Sequence, residues 1–304
     1  MLFWGQSCPY LEVFEMKIGW IGLGHMGSPM AKRILNAKFE LFVYNRTQSK
    51  TEELASSGAT VCTSPQEIAE KADVIVTMLT DNAAVEEVLR AENGILSGLS
   101  EGKTVIDMST VSPDDSVRFA EWVKAKGGHF MDAPVSGSVQ PAKEGNLVIL
   151  VGGEKEQVDV CRPIFDVLGK TVIHFGENGK GSAAKLSINL LLGLIIQGAS
   201  EALLLGEKLG LKKENIIEMI SASACNTPIF QMKKNAFLNE TFPATFMLEL
   251  MSKDLGLAKA EIEKNAMSLP LAGAVEETYR NAKANGAGKE DVAAVYRELK
   301  HLNF

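Results

Sequence analysis

The first half of the chain alternates short apolar runs with amphipathic stretches, and the second half does not. Apolar runs of strand length stand at residues 17–22, 40–44, 73–78, 104–107 and 129–132. Between them, residues 26–36, 83–90 and 113–126 place apolar side chains at the three-to-four-residue spacing of one helix face. Strands alternating with helices predict a parallel sheet with crossover helices. Two more apolar runs, 147–151 and 171–175, flank a helical stretch at 155–168 and are expected to extend that sheet. From Gly179 onward the strand pattern stops, and helical periodicity fills residues 182–209, 213–221, 253–265 and 270–284. The expected fold is α/β, with an N-terminal, doubly wound Rossmann sheet over residues 16–178. An all-helical substrate and oligomerisation domain over residues 179–304 is expected to follow.

The 304 residues are 46% hydrophobic and 23% charged, the balance of an ordinary soluble globular protein long enough for two modest domains. A net charge of -7 argues against nucleic acid as a partner. It also repels anionic substrates in bulk, so an acid has to be captured by local donors. The four cysteines (Cys8, Cys62, Cys161, Cys225) are scattered, with no CxxC and no Cys/His cluster. They read as reduced thiols of a cytoplasmic protein, and no metal site is expected. Residues 1–15 lack a basic segment and an apolar core, so no signal peptide is expected. With the strand pattern beginning just after Met16, that methionine is expected to be the natural start, preceded by an extension. The apolar run 190–196 is too short to span a bilayer, and Gln197, Ser200 and Glu201 follow it. It is expected to be a buried core helix, without a membrane partner.

After the first strand candidate comes Gly22-Leu23-Gly24-His25-Met26-Gly27. A GxGxxG between a strand and a helix suits a dinucleotide. Gly22 permits the tight turn, Gly24 lets the backbone approach a pyrophosphate, and Gly27 lets helix and strand pack closely. The helix N-terminus then offers its partial positive charge to the phosphates. Where an NAD enzyme carries an acid for the ribose hydroxyls, this chain has Asn45, Arg46 and Thr47. All three can donate to a 2′-phosphate, so NADP (as NADPH) is expected over NAD. Met78 and Leu79, closing the strand candidate at 73–78, are expected to line the cofactor as well.

The segment Gly179-Lys180-Gly181-Ser182-Ala183-Ala184-Lys185-Leu186-Ser187-Ile188-Asn189 places Lys185 and Asn189 one helical turn apart on one face. Carbonyl reduction needs a proton or a strong donor at the developing alkoxide. A lysine is an ammonium at neutral pH, which suits Lys185 to that role. Asn189 could orient Lys185 or the substrate. In Asp132-Ala133-Pro134-Val135-Ser136-Gly137-Ser138, the Ser136 hydroxyl and the Gly137 and Ser138 amides can form an anion nest for a carboxylate.

These segments, with Asp107-Met108-Ser109-Thr110 and Lys253-Asp254-Leu255-Gly256-Leu257-Ala258, resemble the β-hydroxyacid dehydrogenase family in order and spacing from Met16 to the C-terminus. The resemblance implies a Rossmann domain joined to a helical domain, with Lys185 catalytic and Ser136, Gly137 and Asn189 on the substrate. It implies Thr110 near the nicotinamide and Lys253 reaching the cofactor. Many members carry a second glycine where this chain has Ser138. That departure, with Asn45-Arg46-Thr47, resembles the glyoxylate/succinic semialdehyde reductase branch, in which Phe246 and Asp254 also belong to the substrate end. The resemblance thus implies reduction of small aldehyde acids to hydroxy acids by a homodimer or homotetramer. Chemistry on 3-hydroxyisobutyrate or tartronate semialdehyde is the alternative. A non-catalytic cofactor-binding module is a reading of another class, disfavoured because Lys185 is kept.

Overall fold

The computed structural model describes residues 16–303; the extension expected at residues 1–15 and Cys8 lie outside them. Two compact units divide between Lys185 and Leu186. In the first, nine strands form one sheet: β1 (Lys17–Ile21), β2 (Glu40–Tyr44), β3 (Thr60–Val61), β4 (Val74–Thr77), β5 (Thr104–Asp107), β6 (His129–Asp132), β7 (Val135–Ser136), β8 (Leu147–Gly152) and β9 (Gly169–Gly176). Their order is β3-β2-β1-β4-β5-β6-β8-β7, with β9 on β8. The chain reverses its direction of travel across the sheet after β3, so β1 and β4 lie side by side at the switch point.

Near-continuous apolar strands explain why both faces are covered. Ile18, Trp20, Leu41, Val43, Val74, Val76 and Ile106 feed the core on one face. Their in-between neighbours Ile21, Phe42, Ile75 and Val105 feed the core on the other. The pairing is parallel from β3 through β6, as the alternation predicts. Beyond β6 it is not: β8 runs antiparallel to both β6 and β7, and β9 runs parallel to β8. Only Ala133 and Pro134 separate β6 from β7, and the β7–β8 connection holds one short helix, Val139–Glu144. A parallel return needs a longer crossover, so the chain doubles back. The helix expected at 155–168 is two, Lys155–Val160 and Arg162–Leu168, broken at Cys161. Pro163 has no N–H to continue the first ladder and sits where a new helix tolerates it.

In the second unit no strand follows β9 among the described residues. The long helix Lys180–Lys208 runs through the division and is followed by Lys213–Ala222, Pro228–Asn239, Leu248–Lys264, Pro270–Ala284 and Val295–Asn303. Ile196, Leu203, Phe237, Leu255, Val275, Tyr279 and Tyr296 fill the core of this unit. The run 190–196, expected to be a buried core helix, lies inside this helix and is only partly buried. Taken whole, the helix is long and apolar enough to cross a membrane by length and composition, and 39% of its most apolar window is buried. Ile188, Leu191 and Leu205 stay exposed. The helix is apolar on its packed side and partly apolar on its open side, which a hydropathy run cannot separate.

One buried ion pair ties helix Pro228–Asn239 to the segment that precedes the C-terminal helix. Lys233 Nζ donates to Asp291 Oδ2 at 2.7 Å, and both side chains are buried. The same carboxylate accepts from Thr245 N at 3.0 Å and Ala293 N at 3.1 Å. Burial alone would raise the Asp291 pKa; the Lys233 ammonium and the amide donors outweigh it and hold the carboxyl below its ordinary range. A depressed carboxyl stabilises the fold when ionised and ceases to as pH falls through its folded pKa. Asp291→Ala strands a buried ammonium, and urea unfolding followed by circular dichroism is expected to show a loss of about 3–5 kcal/mol at neutral pH.

Candidate active site

The glycine loop owes its shape to steric exclusion. Gly22 sits at φ +100°, and a Cβ there would lie 2.3 Å from Met78 O. A Cβ on Gly27 would lie 2.0 Å from Gly22 O, which already accepts from the buried Trp20 indole N–H at 3.1 Å. Gly24 differs: nothing stands within 4 Å of its missing Cβ, so its backbone is open to a ligand. Helix Gly27–Asn36 begins at Met26 with no side-chain cap; Ser28 N donates to Gly24 O at 3.1 Å and Pro29 has no N–H, so a phosphate would be met by the amides of the turn ahead of Ser28. His25 is exposed and Leu23 is buried. These residues fit a dinucleotide.

Asn45 and Arg46 sit differently from one another. Asn45 Oδ1 accepts from Leu23 N at 2.9 Å, and its Nδ2 donates to Thr47 O at 2.8 Å. One hydrogen of the amide expected to reach a 2′-phosphate is therefore engaged, and Asn45 ties the glycine loop to the turn after β2. Arg46 and Thr47 remain exposed at the end of β2. At the ends of β4 and β5, Thr77 Oγ1 and Ser109 Oγ both donate to Asp107 Oδ1, at 2.7 and 2.6 Å. Ser109 Oγ in turn accepts from Leu79 N at 2.9 Å. This network fixes Met78, Leu79 and the half-buried Thr110 beside the loop-bearing strand.

After β6, Ser136 is half-buried, Gly137 takes φ +141° and Ser138 precedes helix Val139–Glu144. A Cβ on Gly137 would lie 2.7 Å from the Leu147 side chain, so the turn demands glycine. Lys185 lies in the second turn of the long helix and is only 8% exposed. Asp132, at the end of β6, is fully buried, and sequence reasoning left it out of the site. Its Oδ1 accepts from Gly179 N and its Oδ2 from Ser182 N, both at 2.8 Å. Burial pushes this carboxyl up to about 6; the two amides oppose that shift and neighbouring Asp107 adds to it. A signal for it was present, because a helix opening on Gly179-Lys180-Gly181 lacks a side-chain cap of its own.

A second group of the expected residues lies in the helical unit. Asn189 is buried and donates from Nδ2 to Asp254 Oδ2 at 2.6 Å, and Lys253 Nζ is 3.1 Å from Asp254 Oδ1. Helix Leu248–Lys264 thus brings Lys253 and Asp254 to Asn189. Phe246 is half-buried, its N–H pointing to Asp291 Oδ2 at 3.3 Å.

A doubly wound sheet that opens such a glycine turn beside its switch point is the dinucleotide-binding unit of NAD(P)-dependent oxidoreductases. A family model of the NAD-binding domain of 6-phosphogluconate dehydrogenase matches residues 17–176. A second, the NAD-binding domain of NADP-dependent 3-hydroxyisobutyrate dehydrogenase, matches residues 179–299. The chain is 38% identical to glyoxylate/succinic semialdehyde reductase 1 of Arabidopsis thaliana, over 94% of this chain and 99% of that protein. It is 35% identical to 2-hydroxy-3-oxopropionate reductase of Escherichia coli, over 94% and 97% of the two chains. The solved structure of Mycobacterium tuberculosis 3-hydroxyisobutyrate dehydrogenase with L-serine is similar at a TM-score of 0.85 and 28% identity, covering 94% of this chain and 99% of that one. The chain belongs to the β-hydroxyacid dehydrogenase family, and it is an oxidoreductase of hydroxy acids.

Asn45 makes its bonds to the loop itself, so Asn45→Ala is expected to weaken NADPH and NADH alike. Loss of such a bond is worth about 0.5–1.5 kcal/mol, or roughly twofold to tenfold in affinity. Fluorescence titration with each dinucleotide measures it.

Proposed function

We propose that this enzyme reduces small aldehyde acids, glyoxylate and succinic semialdehyde, to their hydroxy acids with NADPH, and that Lys185 supplies the proton. The observation that carries this reading is the near-complete burial of Lys185 in the second turn of its helix, since lysines are rarely held out of water without a task. The nicotinamide supplies the hydride to the carbonyl carbon. The Lys185 ammonium stabilises the oxygen as it becomes an alkoxide and gives it a proton. Ser136 and the amides of Gly137 and Ser138 hold the substrate carboxylate, which the chain's net charge would otherwise repel.

NADPH is favoured by the exposed Arg46 and Thr47 in place of an acid at the end of β2. The substrate assignment is supported by the 38% identity to the Arabidopsis reductase and by Ser138 at the position where many members have glycine. A second reading, 2-hydroxy-3-oxopropionate as the aldehyde acid, is supported by the 35% identity to the Escherichia coli reductase and uses the same groups. A homodimer or homotetramer is part of the proposal. The exposed Leu191, Leu205 and Leu209 on the long helix and just past it support it, as apolar surface that a second copy would cover.

Lys185→Ala is expected to cut turnover of glyoxylate by about 10²-fold or more, with NADPH affinity nearly intact. Lys185→Arg is expected to rescue little, because a guanidinium does not readily give up its proton. In the parent enzyme reduction should fall at high pH, where the lysine loses its proton, while alcohol oxidation rises through the same ionisation. Steady-state rates in both directions across pH check this, and near-normal turnover by Lys185→Ala would rule the assignment out. Arg46→Ala is expected to raise the Michaelis constant for NADPH about tenfold while leaving NADH kinetics unchanged. Equal losses with both dinucleotides would show that Arg46 does not read the 2′-phosphate.

A further inference from the structure

The helix that carries Lys185 begins without a cap of its own. Gly179 occupies the capping position at φ +87° and offers no side chain. Lys180 N is satisfied by Glu177 O at 3.1 Å and Ala183 N by Gly179 O at 2.9 Å. The Gly179 and Ser182 amides both turn to the buried carboxylate of Asp132, one to each oxygen. An anion at that end also complements the positive pole of the helix.

The joint is closed by contact as well as by charge. A Cβ on Gly181 would lie 2.3 Å from Leu150 O and 2.5 Å from Asp132 O. A Cβ on Gly152, the partner of Asp132 across the β6–β8 pair, would lie 2.7 Å from Asp132 Oδ1 and 2.8 Å from Gly181 N. Ser182 Oγ lies 2.8 Å from Ser116 Oγ, both buried, tying the same turn to helix Pro113–Lys124. The first turn of the long helix therefore sits backbone to backbone on the ends of β6 and β8. The Asp132 side chain is placed between them. Lys185 follows Ser182 by one turn, and Ser136 follows Asp132 by two peptides beyond Pro134.

We propose that Asp132 is a positioning residue: its carboxylate clamps the first turn of the Lys185 helix to the strand end that continues into the Ser136 turn, and so fixes the proton donor relative to the substrate's carboxylate site. The inference rests on Lys185 being the proton donor. It assigns Asp132 no contact with substrate or cofactor. The residue acts through the helix it holds, and the tight glycine contacts convert any loosening there into displacement of Lys185. Misplacement by about an ångström is enough to cost on the order of 10²-fold in rate.

The test is a double-mutant cycle between Asp132→Asn and Lys185→Ala. The amide has the size of the carboxylate but one acceptor oxygen, and its NH2 opposes a backbone N–H. In the otherwise intact enzyme, Asp132→Asn is expected to lower kcat for glyoxylate by about tenfold or more, with the KM for NADPH unchanged. Bound NADPH per chain, titrated on the same preparation, corrects for any unfolded fraction. On the Lys185→Ala background the same substitution is expected to change residual turnover by less than about twofold, because the group it positions is gone. Equal factors on both backgrounds would mean a purely structural role and overturn the proposal. Full turnover by Lys185→Ala alone would overturn the functional reading and the positioning role with it. Should Asp132→Asn fail to fold, Asp132→Ser, which removes atoms and adds no opposing donor, carries the same cycle.

Discussion

Everything in the nucleotide half of this enzyme is arranged around a place where a side chain cannot exist. The carbonyl of Gly22 and the Cα of Gly27 approach so closely that a methyl group at Gly27 would lie only 2.0 Å from the Gly22 oxygen. That contact brings the start of helix Gly27–Asn36 down onto the end of β1. The apolar faces of the sheet then bury themselves under helices on both sides, because strands with alternate side chains in two cores have no face left for water.

Around this contact, the strand ends are held by short polar ties. Asn45 joins the glycine loop to the turn after β2, Asp107 gathers Thr77 and Ser109, and Asp132 grips the long helix. In each, a buried or half-buried acceptor meets backbone amides or hydroxyls. Such ties are directional. The helical unit solves the same problem with a buried pair, Lys233 and Asp291, where two segments far apart in sequence must meet.

The architecture was legible because its causes are local. Apolar strands with two-sided burial, a glycine turn at the right place and the end of strand periodicity at Gly179 each follow from nearest neighbours in the chain. The antiparallel return through β7 and β8 was not, since it depends on a connection too short for a crossover, and 147–151 reads as an apolar run whichever way it points. Helix Pro228–Asn239 was overlooked although Thr227-Pro228 announces it: Thr227 Oγ1 accepts from Phe230 N at 3.2 Å. That Lys185 and Asn189 share one helix was legible, because their spacing is local. The bonds of Asn45 to Leu23 N and Thr47 O were not legible, for an amide's choice of partner in a neighbouring loop is made by tertiary structure. Asp132 was passed over for the same reason, its partners lying far along the chain.

The indole that props up the glycine loop gives the protein a built-in optical probe. Trp20 is fully buried, and its N–H is fixed on the Gly22 carbonyl. Its emission is that of an indole sealed from water and held rigid next to the phosphate turn. Trp122, in helix Pro113–Lys124, is partly exposed instead and lies 4.7 Å from the guanidinium of Arg90. With the third tryptophan, Trp4, replaced by phenylalanine, a shift in the blue part of the emission reports on the nucleotide turn, and one in the red part on the outer helix. Occupancy of the nucleotide turn and loosening of that helix can be followed separately in one cuvette, without a label.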